Sequence, residues 1–249
     1  MEVGKVHFKE TQQRLWLYFS VMVVFWMISA YWWLTMGYHG TFLWMNQFRS
    51  EPVNVSSLYF FTNLGDGVIL PALILIFFWR KDPALAITFA LAFFFTGGIG
   101  QLCKRFVFEE WTRPPAVFRI DPSVVIFEPN PPVEHSFPSG HATSFATGGV
   151  FFAWGMYQWK KWLPALIGVF TVFLCFTRVF LGVHFPGDIF VGSMIGSLGA
   201  VLVLLVAYPW IHNRLYKYQR LSDPTLGWVI IGFAGVLLVG QFIRIALKY

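Results

Sequence analysis

Seven apolar segments dominate this chain and constrain what it can fold into. A helix needs about 20 mostly apolar residues to cross a bilayer. Soluble domains carry about 25% charged residues, whereas this chain carries 12% and is 57% hydrophobic. The sequence therefore predicts an all-α membrane protein with six spanning helices and a seventh, C-terminal one, for which a re-entrant or surface-lying helix is the alternative. The segments are Leu15–Met36, Leu58–Trp79, Pro83–Leu102, Ala142–Trp159, Trp162–Val183, Ile189–Ile211 and Leu226–Ile243.

Basic residues between these segments predict the orientation of the bundle, because cytoplasmic loops are rich in Lys and Arg. If every segment spans, four basic clusters fall on one side, which is then cytoplasmic together with the N-terminus. We expect a multi-pass plasma membrane protein, in a bacterium an inner membrane protein. The net charge of +6 needs no nucleic-acid partner. The clusters are Lys5, Lys9 and Arg14; Arg80 and Lys81; Lys160 and Lys161; and Arg214, Lys217 and Arg220.

Three short polar motifs interrupt the apolar background. All three fall at the ends of predicted helices that lie opposite the basic clusters. Charge distribution and motif placement depend on different residues, so their agreement predicts one polar site at the extracytoplasmic end of the bundle. The motifs are Lys104-x8-Arg113-Pro114, Pro138-Ser139-Gly140-His141 and Thr177-Arg178-x5-His184-x3-Asp188.

His184 and Asp188 form the pair with the most specific chemistry. Four residues apart, they would share one face of a helix. A carboxylate that accepts one ring N–H leaves the other ring nitrogen free to attack a substrate. The pair therefore predicts a nucleophilic histidine oriented by Asp188. The alternative is a membrane-interface histidine beside an aspartate that caps a helix.

Arg178 favours the functional interpretation. It lies in an otherwise apolar segment, where a charged side chain is costly and by default functional. A guanidinium can bind phosphate through two parallel hydrogen bonds. An ion pair with Asp188 or Asp66 is its alternative role, and the neighbouring Thr177 is a candidate supporting residue.

Ser139, Gly140 and His141 directly precede an apolar helix. Ser139 suits the N-cap position, and the first N–H groups of the helix form an anion site that Gly140 leaves open. His141 can donate a proton to a leaving oxygen, for which its reference pKa near 6.5 is suitable. The alternative is an ordinary helix cap after a proline turn.

Lys104 and Arg113 add cations to the same end of the bundle. Basic residues beyond a helix end also contact lipid head groups, which is the alternative for both. Asp66 lies in the polar stretch 62–67, which interrupts the second segment. It is a candidate for orienting a site arginine or sensing the substrate, and a water-satisfied carboxylate at a packing break is the alternative.

These motifs resemble those of the type 2 phosphatidic acid phosphatase (PAP2) family, whose site is shared with vanadium haloperoxidases and bacterial class A acid phosphatases. The family pattern is Lys-x6-Arg-Pro, Pro-Ser-Gly-His and Ser-Arg-x5-His-x3-Asp. Here the second motif matches in full, Thr177 replaces the Ser of the third, and the first is two residues longer. The resemblance implies a six-helix PAP2-type domain over residues 1–221, with residues 222–249 as an additional helix.

The resemblance also implies a metal-independent phosphatase without a cofactor. His184 would attack phosphorus to form a phosphohistidine, Asp188 would orient it, and His141 would protonate the leaving group. The residues implied to bind the phosphate oxygens are Lys104, Arg113, Ser139, Gly140 and Arg178.

The membrane setting favours a lipid substrate that carries a phosphate or diphosphate. Candidates are undecaprenyl diphosphate, phosphatidylglycerol phosphate, phosphatidic acid and lipid A. The alternatives are a lipid-to-lipid phosphotransferase that uses the same histidine, a haloperoxidase-like use of vanadate, and a phospholipid-binding or transport protein without catalysis. The expected partners are the lipid substrate and membrane lipids, and the oligomeric state stays open.

Overall fold

The computed structural model describes residues 2–48, 55–128, 130–218 and 224–246. Within these ranges the regular elements are all helices, which confirms the predicted all-α class. A π-helix, Cys103–Val107, continues directly from the fourth α-helix. The α-helices are α1 (Glu2–Asn46), α2 (Val55–Asn63), α3 (Ile69–Phe78), α4 (Pro83–Leu102), α5 (Pro114–Val117), α6 (Gly140–Met156), α7 (Leu163–Phe180), α8 (Pro186–Tyr218) and α9 (Pro224–Ala246).

Five helices among the described residues are long and apolar enough to cross a membrane. Helix α6 has 17 residues, at the lower end of the length that spans a bilayer. The number of spanning helices stays a prediction, and so does the division into 1–221 and 222–249, whose boundary lies outside the described residues. The five candidate spans are His7–Asn46, Pro83–Val107, Leu163–Phe180, Pro186–Leu215 and Gly227–Ile245.

The predicted segment Leu58–Trp79 forms two helices, and the break between them lies in the polar stretch that the sequence analysis identified as an interruption. The chain forms α2 and α3, separated by a break at residues 64–68. Gly65 packs so closely on Phe145 that a Cβ at this position would lie 2.5 Å from the ring. The Asp66 carboxylate accepts the Val68 N–H at 2.9 Å, so it turns the backbone into α3. Glycine and a local carboxylate acceptor both favour a turn over a helix.

The predicted end of the first helix at Met36 is wrong. Helix α1 passes a kink at Gly37, where φ is 74° and ψ is 175°, and continues to Asn46. The Asn46 amide donates to the Val125 carbonyl at 3.0 Å and accepts the Val125 N–H at 2.9 Å. These two bonds fix the end of α1 to the loop that carries the first two motifs.

Helices α6 and α8 cross at two glycines of α8. A Cβ on Gly192 would lie 2.6 Å from the Ser139 carbonyl oxygen, and a Cβ on Gly196 would lie 2.3 Å from that of Thr143. Small residues at such positions let helix backbones approach each other. The close approach brings the start of α6 beside the start of α8, where the Ser139 N–H donates to the Asp188 carbonyl at 3.0 Å.

Basic side chains lie at the end of the bundle opposite to the starts of α6 and α8. Arg14 and Lys81 line one cavity of about 660 Å³, and the Lys81 ammonium lies 4.3 Å from the Trp159 ring centroid. Lys81 precedes α4 and Lys104 follows it, which separates them by about 30 Å for a 20-residue helix. Arg220 of the predicted clusters lies outside the described residues.

Candidate active site

The candidate site forms where four helix ends and one loop meet. The π-helix after α4 carries Lys104, α6 begins at the Ser139 cap, and the last turn of α7 carries Arg178. Asp188 lies in the first turn of α8. Lys104 and Asp188 are 84 positions apart in the chain, and yet they lie close enough for the charge of Asp188 to act on Lys104.

A C-terminal turn of α7 delivers His184 to this site. Gly182, with φ of 79°, donates its N–H to the Val179 carbonyl at 2.9 Å, and Val183 donates to the Arg178 carbonyl at 3.1 Å. These two bonds form a Schellman motif, whose left-handed residue is usually glycine. The chain therefore leaves α7 in a fixed direction two residues before His184.

Asp188 serves α8 and His184 at the same time. Its Oδ2 accepts the Phe185 N–H at 3.0 Å, which is one half of a capping box at the start of the helix. The same oxygen accepts from His184 Nδ1 at 2.8 Å. Pro186 occupies the first position of α8, where its missing N–H costs nothing. The aspartate is fully buried, so the predicted pairing occurs away from solvent.

Two further hydroxyl groups bind this carboxylate. Ser136 Oγ donates to Asp188 Oδ2 at 2.5 Å, and the Tyr38 hydroxyl donates to Asp188 Oδ1. The sequence analysis identified neither residue. Tyr38 lies 150 positions from Asp188, and no local pattern relates it to the motifs. Ser136 lies two residues before the Pro-Ser-Gly-His motif. This proximity is the one sequence feature that could have identified it as a site residue.

The surroundings of His184 favour the neutral imidazole. Burial lowers its pKa well below the ordinary value, and the charges of Arg113 and Lys104 lower it further. In the neutral ring, Nδ1 donates to Asp188 and the lone pair lies on Nε2. Arg113 Nη1 is 3.0 Å from this Nε2 and donates to it. The nitrogen that is free to react therefore faces a guanidinium.

Arg113 is held in place by backbone carbonyls. Its Nε donates to the Glu134 carbonyl at 2.9 Å, and its Nη1 also donates to the Val183 carbonyl at 3.2 Å. Burial lowers the pKa of Arg113, and the Asp188 charge opposes this change. An arginine whose reference pKa exceeds 12 stays cationic under these conditions. Arg113 thus presents a fixed positive charge beside His184 Nε2.

The Pro-Ser-Gly-His motif forms the predicted helix start. The Ser139 side chain accepts the Ala142 N–H at 3.4 Å, and α6 begins at Gly140. A Cβ on Gly140 would meet nothing within 4 Å, so space remains beside this backbone. His141 follows in the first turn, among the electrostatic neighbours of His184.

The structure brings Lys104 to the site despite the lengthened first motif. The residue is 8% exposed, and Arg113, Asp188 and Arg178 are its electrostatic neighbours. It lies in the π-helix, where wider turns take up additional residues. The turn at residues 108–113 then returns the chain to Arg113.

Arg178, Thr177 and Asp66 each make a hydrogen bond that the sequence analysis did not predict. Arg178 Nη1 donates to Thr62 Oγ1 at 3.0 Å, and its side chain is buried. The Thr177 hydroxyl donates to the Leu174 carbonyl of its own helix at 2.6 Å. Asp66 binds the Val68 N–H, which agrees with its alternative role at a packing break. Thr62, from the same polar stretch, is the residue that contacts the arginine.

A cavity of about 390 Å³ adjoins the site at Lys104. The His135 Nδ1 in this region is buried without a hydrogen-bond partner. Among the described residues, no group of three His, Cys, Asp or Glu side chains could hold a metal ion. The cavity is lined by Gln101, Lys104, Arg105, Phe106, Glu109 and His135.

The model of the PAP2 superfamily matches residues 84–216. The chain belongs to the PAP2 superfamily. The match contains all three motifs, and it excludes α1 with Tyr38 and the polar stretch with Asp66.

Individual PAP2 relatives cover only part of the chain. The undecaprenyl-diphosphatase of Sulfolobus acidocaldarius is 28% identical over 130 residues, which are 52% of this chain and 59% of that protein. The lipid A 4'-phosphatase of Bacteroides thetaiotaomicron is 28% identical over 153 residues, 56% of this chain and 61% of that protein. The chain thus spans about three fifths of the length of each.

A solved structure shares the fold of this chain. The crystal structure of Aquifex aeolicus LpxE superimposes with a TM-score of 0.56 at 28% identity, and the match covers 66% of this chain and 92% of that one. The common fold therefore includes nearly all of the smaller protein and leaves about a third of this chain outside.

Proposed function

We propose that this protein is an integral membrane phosphatase that hydrolyses a lipid phosphate or diphosphate through a phosphohistidine at His184. The observation that carries the proposal is the arrangement of the imidazole, with Asp188 on Nδ1 at 2.8 Å and Arg113 on Nε2 at 3.0 Å. This geometry suits a neutral nucleophile whose attack side faces a phosphate-binding cation.

The charges of the site suit a phosphate dianion. Lys104, Arg113 and Arg178 are the cations around His184. Asp188 offsets one of these three charges, which leaves a balance of plus two. A fixed positive environment stabilises the charge on the equatorial phosphate oxygens in the transition state.

The first step forms the His184 Nε2–phosphorus bond and breaks the bond to the leaving oxygen. Arg113 exchanges its contact with Nε2 for a phosphate oxygen as the nitrogen attacks. Asp188 stabilises the positive charge that develops on the ring through the Nδ1–H. Burial, and then the charge of Arg178, lowers the pKa of His141 in the free site, and the negative charge of the bound phosphate offsets these cations. His141, protonated in the substrate complex, gives its proton to the leaving alkoxide or phosphate, so no strong base is released.

The second step hydrolyses the phosphohistidine. Neutral His141 accepts a proton from water as the water oxygen attacks phosphorus. The Nε2–phosphorus bond breaks, and its electron pair returns to the imidazole. Inorganic phosphate leaves, and both histidines regain their starting protonation states.

The position of the site supports a lipid substrate. Lys104 lies near the end of the candidate span Pro83–Val107, and the cavity beside it is also lined by Arg105 and Gln101. We propose that the polar head group of the lipid enters this cavity while its chains stay in the bilayer. Undecaprenyl diphosphate, phosphatidylglycerol phosphate, phosphatidic acid and lipid A all have the required chemistry.

The charge distribution supports an extracytoplasmic site. Arg14 and Lys81 lie at the end of the bundle away from the site. The positive-inside rule assigns that end to the cytoplasm. We propose a plasma membrane protein, a bacterial inner membrane protein in a bacterium, whose N-terminus is cytoplasmic and whose site faces outward.

The test is phosphate release from a panel of lipid monophosphates and diphosphates by purified protein in detergent, with and without a chelator. We expect the native protein to release inorganic phosphate and His184→Ala to release at least about 1,000-fold less. His212→Ala, at the other end of the bundle, is the matched control. Equal turnover by His184→Ala would refute the proposal, and labelled phosphate that appears only on an acceptor lipid would indicate a phosphotransferase.

A further inference from the structure

Tyr38 reaches the site from a helix that the PAP2 match does not include. Its hydroxyl donates to Asp188 Oδ1, whereas His184 binds the other carboxylate oxygen, Oδ2. The tyrosine therefore holds the oxygen that the histidine leaves open. Four donors surround this buried carboxylate: Tyr38, Ser136, His184 and the Phe185 N–H.

The Tyr38 ring is fixed by its neighbours. Its centroid lies 4.5 Å from that of Phe185 and 5.0 Å from that of Trp111. A Cβ on Gly187, within the His184–Asp188 turn, would lie 2.8 Å from the tyrosine ring. The ring thus lies directly against the backbone that joins the two catalytic residues.

The kink of α1 brings the tyrosine to this place. Gly37 has a φ of 74°, in the left-handed region that favours glycine. A Cβ there would meet nothing within 4 Å, so glycine is favoured at this position by the backbone angle and not by a lack of space. The residue after the kink is Tyr38 itself.

We propose that Tyr38 is a positioning residue that holds the Asp188 carboxylate in the orientation and charge state that His184 needs for attack. The inference rests on the proposed function. It adds a contribution from α1 to a site whose recognised motifs all lie within residues 84–216.

The pH dependence of activity reports this role. The hydroxyl stabilises the carboxylate anion, so its loss makes the Asp188–His184 pair easier to protonate. A protonated pair cannot attack, and the acidic limb of the activity profile therefore moves to higher pH. The charged or titratable groups that act on His184 are Lys104, Arg113, His141 and Arg178, and His39 packs against Tyr38 and Phe185. All of these residues are retained in a Tyr38 variant.

The experiment compares Tyr38→Phe with Tyr31→Phe in the full-length protein. Tyr31 lies on the same helix and is 63% exposed, so it controls for the loss of a hydroxyl from α1. We expect Tyr38→Phe to lower kcat by about 10- to 100-fold, because a charged hydrogen bond is lost. We expect KM to change by less than about threefold and the acidic midpoint to rise by about one pH unit. Tyr31→Phe keeps native values.

A double-mutant cycle separates positioning from general damage. If Tyr38 acts through the carboxylate, Tyr38→Phe lowers the residual activity of Asp188→Asn by less than about threefold. Equal factors in both backgrounds, or an unchanged acidic midpoint, would overturn the inference. A native protein without phosphatase activity on any lipid would instead refute the proposed function, so the two failures are distinct.

Discussion

At the residue scale, Arg113 acts on His184 through its charge as well as through its hydrogen bond. Positive charge is the second cause, after burial, of the low pKa of His184, and Arg113 makes the largest single contribution to it. The lowered pKa favours the form in which Nε2 is unprotonated. Loss of this charge raises the pKa of His184, so protonation removes the proposed nucleophile at a higher pH than in the native protein.

We therefore predict that Arg113→Ala moves the acidic limb of kcat/KM to higher pH and lowers its plateau by about 100-fold or more. Arg113→Lys keeps the charge but loses the planar fork, so its plateau falls while the acidic limb stays near the native position. Arg119→Ala, an exposed cation in the same loop, is the control. Equal acidic limbs for native protein and Arg113→Ala would contradict this account.

The sequence predicted those site residues whose chemistry lies in local spacing. His184 and Asp188 were predicted to pair from a four-residue interval, and their side chains lie 2.8 Å apart. The contacts of Tyr38 and Ser136 with Asp188 span 150 and 52 positions. Such contacts depend on how α1 and the loop fold over the site, and no interval in the sequence encodes that.

At the element scale, apolar length predicted the helices better than their ends. Helix α4 begins at Pro83 and ends at Leu102 as predicted, and helical structure continues beyond it as the π-helix Cys103–Val107. The polar stretch 62–67 indicated an interruption of the second segment, but its division into α2 and α3 depends on Gly65 packing against Phe145, which no local pattern predicts. Gly192 and Gly196 of α8 let α6 and α8 approach closely.

This crossing leads to a stability prediction. The Cβ of Gly196→Ala would lie 2.3 Å from the Thr143 carbonyl oxygen and 2.9 Å from the Ala146 Cβ, so α6 and α8 must separate. We expect a cost of about 1–3 kcal/mol in the free energy of unfolding, visible as a lower Tm in detergent. Phosphatase activity falls with it, because the same crossing places Ser139 beside Asp188.

Gly97→Ala is the matched control for this variant. Gly97 lies inside α4, and a Cβ there would meet nothing within 4 Å. Alanine favours a helix by about 1 kcal/mol over glycine, so the Tm of this variant is expected to be native or higher. A native Tm for Gly196→Ala would contradict the close packing of α6 against α8 at this position.

At the scale of the whole molecule, the two ends of the bundle differ in chemistry. One end holds the buried polar site. The other holds cations over indole rings, with Lys81 at 4.3 Å from Trp159 and Arg80 at 4.6 Å from Trp228. Tryptophan and basic residues gather at membrane–water interfaces. Helix α9 packs against α3 and is mostly exposed, as expected for a lipid-facing helix outside the main bundle.

This difference between the two ends of the bundle predicts which residues a membrane-impermeant thiol reagent can reach in intact cells. In a background with Cys103→Ser and Cys175→Ala, Glu110→Cys is expected to react from outside, because the exposed Glu110 lies in the loop of the first motif. The exposed Lys161 lies at the other end, so Lys161→Cys is expected to react only after permeabilisation. Retained phosphatase activity in both variants shows that each protein is folded. Labelling of Lys161→Cys alone in intact cells would place the site in the cytoplasm and invert the proposed orientation.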